Sequence, residues 1–167
     1  MSWKRVATLA EIEAAYCAHG HHVQRRATLI LGNESDAREI VQEVFLSLVD
    51  QPEQFGGQSA LSTWLYSVTV HRCLNRLRDE RNRARLVREH AASVPVPRQA
   101  ASAEHVTELR ALLLRLPTDL AQLAVHQFVD ELSQDEIGEV MGCSRRQVRK
   151  LLARLADELA TEEVEAS

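Results

Sequence analysis

The chain has 167 residues, a formal net charge of −4 and few aromatic side chains, with hydrophobic residues making up 45% of it. No apolar run approaches the roughly 20 residues of a membrane-spanning helix, and the first residues lack the apolar core of a signal peptide, so we expect a cytoplasmic protein. The three cysteines are scattered without a C-x-x-C pair, so neither a disulfide framework nor a zinc finger is indicated. No segment alternates with a period of two, and the composition predicts an all-α protein.

Near the N-terminus, the segment Cys17–His22 gathers a thiol and three imidazoles, which are ligands of zinc and copper. Gly20 within the segment is expected to break the local helix. Histidines at a helix end are more often exposed or packed than ligating, so no metal is assigned. A metal-sensing or redox-sensing protein that uses Cys17, His19, His21 and His22 stays an alternative.

The next predicted element is an amphipathic helix from Asp36 to Leu48, preceded by a Gly32-Asn33 break and ended before Pro52. One face of this helix is acidic, and the opposite face repeats apolar side chains at helical spacing. The apolar positions are Ile40, Val41, Val44, Phe45 and Leu48, and the acidic ones are Asp36, Glu39 and Glu43.

A polar loop at 55–59 leads into a long predicted helix from about residue 60 to residue 88. Arg72, Arg76 and Arg83 share one side of this helix and form a stripe that can follow a phosphate backbone. Together with Trp64 and the loop, the stripe suits single-stranded DNA, because bases stack on aromatic rings while cations follow the backbone. For Trp64, an ordinary core position is the alternative.

Helical periodicity lapses over residues 89–104, where Pro95 and Pro97 each lack an amide hydrogen and disfavour helical angles at the preceding residue. We interpret this stretch as a flexible linker. Two small helical domains result, over 1–88 and 105–162, followed by an acidic tail over 163–167.

The last third of the chain carries two S-x-x-E/Q capping boxes, Ser133 with Glu136 and Ser144 with Gln147. Gly142 lies between them, where a helix must end and reverse. Two capped helices around a short turn predict a helix-turn-helix, a DNA-binding motif. The outward cations of the second helix are Arg145, Arg146, Arg149, Lys150 and Arg154, of which the first three are candidates for base edges in the major groove. Solvation of an amphipathic helix is the alternative reading of these cations.

These motifs occur in an order that resembles a bacterial extracytoplasmic-function (ECF) sigma factor. DAREIVQEVF resembles the region 2 consensus D-A-E-D-L-V-Q-E-V-F, and the following TWLYSV segment and the L-P, E-I-G and helix-turn-helix segments resemble later parts of the family. The resemblance runs from about Ala15 to Leu159. The matching positions are Asp36, Ala37, Val41, Gln42, Glu43, Val44, Phe45, Trp64, Leu65 and Tyr66.

The resemblance implies a dissociable specificity subunit of RNA polymerase that carries out no covalent chemistry and needs no cofactor. Contact with the clamp coiled coil of the largest core subunit would come from Asp36, Glu39, Gln42 and Glu43. The minus-ten element, including a flipped base, would be held by Gly57, Gln58, Ser59, Ala60, Trp64, His71, Arg72 and Arg76. The minus-thirty-five duplex would be held by Ser144, Arg145, Arg146, Gln147, Arg149, Lys150 and Arg154. Family habit also implies an anti-sigma partner.

Several positions depart from the family pattern, in both region 2 and region 4. His71 stands where Asn is usual, Arg38 interrupts the acidic run, and Gly138 replaces an alanine. Glycine lowers helix propensity by about 1 kcal/mol relative to alanine, unless close packing compensates. These departures leave open a second hypothesis, a sigma-derived DNA-binding regulator that does not program polymerase. No nucleophile motif, phosphate-binding glycine loop or paired-carboxylate motif suggests an enzyme.

Overall fold

The computed structural model describes residues 6–57, 59–90 and 104–165. These residues form helices and turns and contain no strand, which confirms the all-α prediction. In chain order the elements are α1 (Leu9–Leu31), α2 (Glu34–Asp50), a 3-10 turn (Pro52–Phe55), α3 (Leu61–His90), α4 (Glu104–Arg115), α5 (Thr118–Ala124), a π-helical turn (Val125–Val129), α6 (Gln134–Met141) and α7 (Arg145–Glu165).

Helices α1 to α3 form the N-terminal half, and each packs against the other two. Helix α1 begins with a capping box between Thr8 and Glu11 and ends at Gly32, whose φ of 76° is left-handed. Asn33 then caps α2, because its side-chain oxygen accepts a hydrogen bond from the Asp36 amide at 2.8 Å. The apolar stripes meet in a core that includes Val23, Ile30, Ile40, Val44, Leu48, Leu65, Leu74 and Leu77.

The predicted helix break at Gly20 was wrong, because α1 runs without interruption from Leu9 to Leu31. Gly20 is buried, and a Cβ atom built at this position would lie 3.6 Å from the ring of Tyr16. This distance is an ordinary van der Waals contact, so the Tyr16 ring leaves room for a Cβ atom and does not require glycine. One glycine costs only about 1 kcal/mol of helix propensity, and the packing of α1 against α2 and α3 outweighs this cost.

Helices α4 to α7 form the C-terminal half, in which α5, α6 and α7 surround a second set of buried apolar residues. Its fully buried side chains include Leu113, Leu120, Leu123, Ile137, Val148 and Leu155. Ser133 and Glu136 form the predicted capping box at the start of α6, and Gly142 ends that helix with a left-handed φ of 65°. The helix-turn-helix prediction is thus confirmed in its geometry.

A close backbone approach explains the glycine at position 138. A Cβ atom there would lie 2.8 Å from the carbonyl oxygen of Cys143, a distance that forces the turn to shift. The Cys143 amide also donates a hydrogen bond of 2.9 Å to the Gly138 carbonyl. Glycine is therefore suited to the tight turn between α6 and α7, and close packing compensates for its propensity.

A buried charge cluster joins the two halves. The Arg26 guanidinium of α1 is 9% exposed and pairs with one carboxylate oxygen of Asp130, which is 2% exposed. The other oxygen lies 2.8 Å from Nδ1 of buried His126, and the guanidinium carbon lies 4.0 Å from the ring centre of Tyr66 on α3. We refer to Arg26, Asp130, His126 and Tyr66 as the interdomain cluster.

The predicted domain bounds stay a prediction, because most of the predicted linker, residues 91–103, falls outside the described residues. At the C-terminal end, α7 continues to Glu165 and so enters the predicted tail. In the described ranges, none of the helices combines the length and the apolar character needed to cross a membrane.

Candidate nucleic-acid interface

The start of α7 presents the cations predicted to read duplex DNA. Arg145, Arg146, Arg149, Lys150 and Arg154 are all exposed. Ser144 and Gln147 cap the helix instead of pointing freely outward: the Ser144 amide donates to the Gln147 side-chain oxygen at 2.8 Å, and the Gln147 amide donates to the Ser144 hydroxyl at 3.3 Å. Their direct role is therefore to fix the beginning of the helix.

These cations differ in their partners among the described residues. Arg145 lies 3.1 Å from a carboxylate oxygen of Asp135, and Arg154 lies 3.1 Å from one of Asp119. Within the described ranges, Arg146 and Lys150 have no carboxylate partner. Exposed ion pairs contribute at most about 1 kcal/mol, so a DNA phosphate can replace Asp135 or Asp119. The arrangement thus presents a positive helix end.

The residues predicted to hold single-stranded DNA lie at the beginning of α3 and in the loop before it. Gly57, Ser59 and Ala60 form the described part of this loop, while Gln58 lies outside the described residues. Trp64 is half-buried and packs edge-on against Phe55, with ring centres 6.5 Å apart. The tryptophan therefore contributes to the core and keeps part of its surface open.

His71 is exposed on α3, about two helical turns beyond Trp64. Its Nδ1 atom lies 3.2 Å from the side-chain nitrogen of Gln122, which belongs to α5. A residue predicted to face DNA therefore contacts the C-terminal half in this structure. Sequence patterns could not reveal this contact, because it depends on how the two halves pack.

The predicted DNA-binding arginines and the predicted polymerase-binding carboxylates form one cluster. Arg76 on α3 lies 3.0 Å from Glu39, 2.8 Å from Glu43 and 3.9 Å from Asp36, all on α2. Arg72 adds a longer contact of 3.5 Å to Glu43. The hydrogen bond to Glu39 raises the pKa of Arg76, and the charges of the neighbouring carboxylates add to this effect. We call these five residues the α2–α3 charge cluster.

From the sequence, the carboxylates of this cluster were predicted to bind core polymerase, and its arginines were predicted to bind DNA. Helical spacing groups the carboxylates on one face of α2 and the arginines on one face of α3, but it does not indicate that the two faces meet. Gln42 does not join the cluster and is exposed beside it. Gln42 also lines an apolar groove of about 340 Å³, together with Tyr16, Phe45, Leu46 and Val49. No sequence pattern predicted this groove.

The histidines of α1 do not assemble into a metal site. Among the residues that the structure describes, no three His, Cys, Asp or Glu side chains come together in a way that could hold a metal ion. The ring of His19 instead packs edge-on against Tyr66, with centres 6.2 Å apart. Cys73 is buried in the core, and its burial raises its pKa to about 12.

Two family models match this chain, and they occur along it in the same order as the two groups of motifs. Residues 15–83 match sigma-70 region 2, and residues 107–157 match sigma-70 region 4. The ECF RNA polymerase sigma factor SigW of Bacillus subtilis is 29% identical over 125 residues, which cover 67% of each chain. The ECF RNA polymerase sigma-E factor of Escherichia coli K12 is 29% identical over 132 residues, or 71% of this chain and 69% of the relative.

Two solved structures share the fold. CnrH in complex with the cytosolic domain of CnrY matches with a TM-score of 0.61 at 18% identity, over 96% of this chain and 92% of the other. The sigma factor RpoE in complex with the anti-sigma factor NepR from Bartonella quintana matches with a TM-score of 0.55 at 17% identity, over 90% and 95% of the two chains.

A capped helix-turn-helix, in a fold whose described residues form only helices and turns, is typical of DNA-binding transcription proteins. Within that class, the two matched regions and the similar relatives point to one family. The chain belongs to the sigma-70 family and is an alternative sigma factor of the ECF group.

Proposed function

We propose that this chain binds the core of RNA polymerase through the outer side of α2 and carries it to promoters. The observation that carries the proposal is the exposed acidic face of α2, where Glu39 is 55% exposed and Glu43 is 44% exposed. A basic surface on the polymerase clamp would meet these carboxylates. Asp36 and Gln42 border the same face, so the predicted contact set of Asp36, Glu39, Gln42 and Glu43 forms a continuous surface.

Arg76 sets the electrostatic condition for this docking. In the free chain it already neutralises part of the acidic face. Clamp cations must therefore compete with Arg76 or add to its pairs from the open side. If they replace it, Arg76 becomes available to a DNA phosphate, which agrees with the minus-ten role that the family resemblance gives it.

The two DNA contacts belong to the two halves. In the proposal, the loop around Gly57, Ser59 and Ala60 and the exposed side of α3 hold the opened strand of the minus-ten element. Gln58 is included on the family resemblance alone. Because the duplex is already open there, extruding a base costs only unstacking, a few kcal/mol at most.

The start of α7 inserts into the major groove of the minus-thirty-five element. Arg145, Arg146 and Arg149 reach base edges, while Lys150 and Arg154 reach phosphates. Ser144 and Gln147 fix the helix end that carries these side chains. The partner expected to restrain this activity is an anti-sigma protein, in keeping with the complexes in which the related folds are found.

Complex formation with core polymerase tests the proposal. Purified wild-type chain is mixed with sigma-free bacterial core enzyme and analysed by gel filtration. We expect a stable complex, and we expect the Glu39→Lys, Glu43→Lys variant to lose it because the acidic face becomes basic.

The matched control is Asp157→Lys, Glu158→Lys, which makes the same change of charge at exposed positions on α7. This control should keep the complex, and circular dichroism should show that both variants are folded. Equal losses in the two variants would contradict docking through α2. Absence of a wild-type complex would instead favour the sigma-derived regulator.

A further inference from the structure

An open cavity lies at the contact between the two halves, beside the interdomain cluster. Its volume is about 380 Å³, which is within the range of pockets that hold small organic ligands, and such pockets often lie where two domains meet. Helix α1 and Tyr66 of α3 form one wall, and residues 129–132 form the opposite wall. We call it the interdomain cavity. The side chains that α1 contributes are His22, Arg25, Arg26 and Leu29.

The wall formed by α1 carries hydrogen-bond donors that lack acceptors. The Nη1 atom of Arg26 is buried and has no hydrogen-bond partner among the described residues, whereas buried polar atoms in folded proteins nearly always have one. Arg25 is exposed and has no carboxylate partner within the described ranges. His22 is exposed about one helical turn before Arg26. This wall is therefore suited to an anion.

The neighbouring carboxylate does not satisfy these donors. Asp130 is 2% exposed, and both of its oxygens already have partners. One oxygen pairs with Nε of Arg26, and the other lies 2.8 Å from Nδ1 of His126. The other carboxylate of the lining is Glu131, which is exposed on the opposite wall. The cavity thus has a cationic side on α1 and one available carboxylate across from it.

This arrangement defines the chemical class of the ligand. Two guanidinium groups and an imidazole on one wall favour a phosphate group, because its oxygens accept paired N–H bonds from arginine. Glu131 can accept a hydrogen bond from a hydroxyl or amino group elsewhere in the same molecule. Leu29, Val129 and Leu132 give the lining an apolar part. A phosphate ion alone would leave this part without contact, so the ligand needs an organic portion.

We propose that the interdomain cavity binds an organic phosphate of about the size of a mononucleotide. Its phosphate group contacts His22, Arg25 and Arg26, and an oxygen that enters the inner end of the cavity supplies the acceptor that Nη1 of Arg26 lacks. Because both halves line the cavity, a bound ligand stabilises their contact. The binding itself does not depend on the proposed function, whereas any effect of the ligand on polymerase does.

Isothermal titration calorimetry with the full-length chain tests the proposal. The probes are AMP, GMP, inorganic phosphate and adenosine, each at the same ionic strength in a buffer without phosphate. Titrations at two temperatures prevent a vanishing enthalpy at one of them from hiding the binding. We expect a nucleotide to bind at one site per chain with a dissociation constant below about 1 mM. Inorganic phosphate and adenosine should each bind at least about tenfold more weakly, because each makes only part of the contacts.

An arginine variant locates the site. Arg25→Gln removes one cation of the cavity and leaves the interdomain cluster intact, so it should weaken nucleotide binding by about tenfold or more. The matched control is Arg88→Gln, the same change at an exposed position of α3. Arg88 lies 22 residues beyond Tyr66, or about 33 Å along the helix. This control should keep the wild-type affinity, and circular dichroism should show that both variants are folded.

Four outcomes would overturn the proposal. They are no binding of either nucleotide at millimolar concentration, equal losses in the two arginine variants, adenosine binding as tightly as AMP, and inorganic phosphate binding as tightly as AMP. The third outcome removes the phosphate contact, and the fourth removes the organic portion. Formation of the core polymerase complex, measured by gel filtration without nucleotide, reports on the proposed function alone, so the two failures are distinguishable.

Discussion

At the scale of single residues, different causes set the backbone around two glycines. Gly142 was predicted as a left-handed helix end, and its φ of 65° confirms this. Gly20 was predicted to break a helix, yet it is buried in the middle of α1 beside Tyr16. The first role is local and can be derived from neighbouring residues. The second depends on the packing of the whole helix α1 against α2 and α3, which a propensity scale does not include.

Gly138 allows a direct test of packing against propensity. Replacement by alanine favours the helix by about 1 kcal/mol, but the new Cβ would meet the Cys143 carbonyl at 2.8 Å. Overpacking of this kind costs about 1 to 3 kcal/mol, so we expect Gly138→Ala to lower the free energy of unfolding by about 1 kcal/mol. Urea denaturation measures the change. Glu139→Ala, at an exposed position of the same helix, serves as control, and a stabilised Gly138→Ala protein would contradict the prediction.

Cys73 gives a prediction about pH. Burial raises its pKa from 9.0 to about 12, so above pH 9 the unfolded chain releases a proton that the folded chain keeps. Stability contributed by the buried thiol is therefore present below pH 9 and falls as the pH rises from about 9 towards 12. We expect the free energy of unfolding to fall more between pH 8 and pH 10.5 in the wild-type protein than in Cys73→Ala. Equal losses in the two proteins would show that the thiol does not contribute.

At the scale of elements, capping residues and apolar periodicity were sufficient to predict most helices. The predicted helix from Asp36 to Leu48 is observed as Glu34–Asp50, and the long helix from about residue 60 to residue 88 is observed as Leu61–His90. What these patterns could not predict is which polar faces meet. The α2–α3 charge cluster joins residues 29 to 40 positions apart in the chain, so its ion pairs follow from tertiary packing.

The α2–α3 charge cluster predicts opposite effects of one substitution on folding and on polymerase binding. Arg76→Gln removes three ion-pair contacts that are partly exposed, and we expect a loss of about 1 kcal/mol in the free energy of unfolding. The same change frees Glu39 and Glu43, so affinity for core polymerase should rise. Titration of labelled core enzyme measures this affinity. The control is Arg72→Gln, which removes a single contact of 3.5 Å and should have a smaller effect. A weaker complex of Arg76→Gln with core polymerase would argue against competition between Arg76 and the clamp cations.

At the scale of the whole molecule, the two family regions were predictable as separate units, but their contact was not. The interdomain cluster brings together Arg26 from the first region and Asp130 from the second, 104 residues apart. Neither residue belongs to a motif, and each alone resembles an ordinary surface charge. Their burial also leaves the Arg26 Nη1 atom without a hydrogen-bond partner. The face of Tyr66 offsets part of this cost through a cation–π contact.

Removal of the Asp130 charge should separate the halves without unfolding them. Asn at this position keeps a side-chain oxygen for His126 but leaves the buried Arg26 guanidinium without a counter-charge. Removing one partner of a buried ion pair costs about 3 to 5 kcal/mol of stability. Opening the contact relieves this cost by exposing Arg26 to water, and it also loosens the apolar contacts that α1 and α3 make with the C-terminal helices. We therefore expect Asp130→Asn to have a larger radius of gyration by small-angle X-ray scattering and an unchanged helical circular dichroism signal. The control is Asp119→Asn, which removes an exposed ion pair within the C-terminal half and should change neither quantity. Loss of helical signal in Asp130→Asn would contradict the prediction, because it would mean that the interdomain cluster supports the fold of one half and not the contact between the halves.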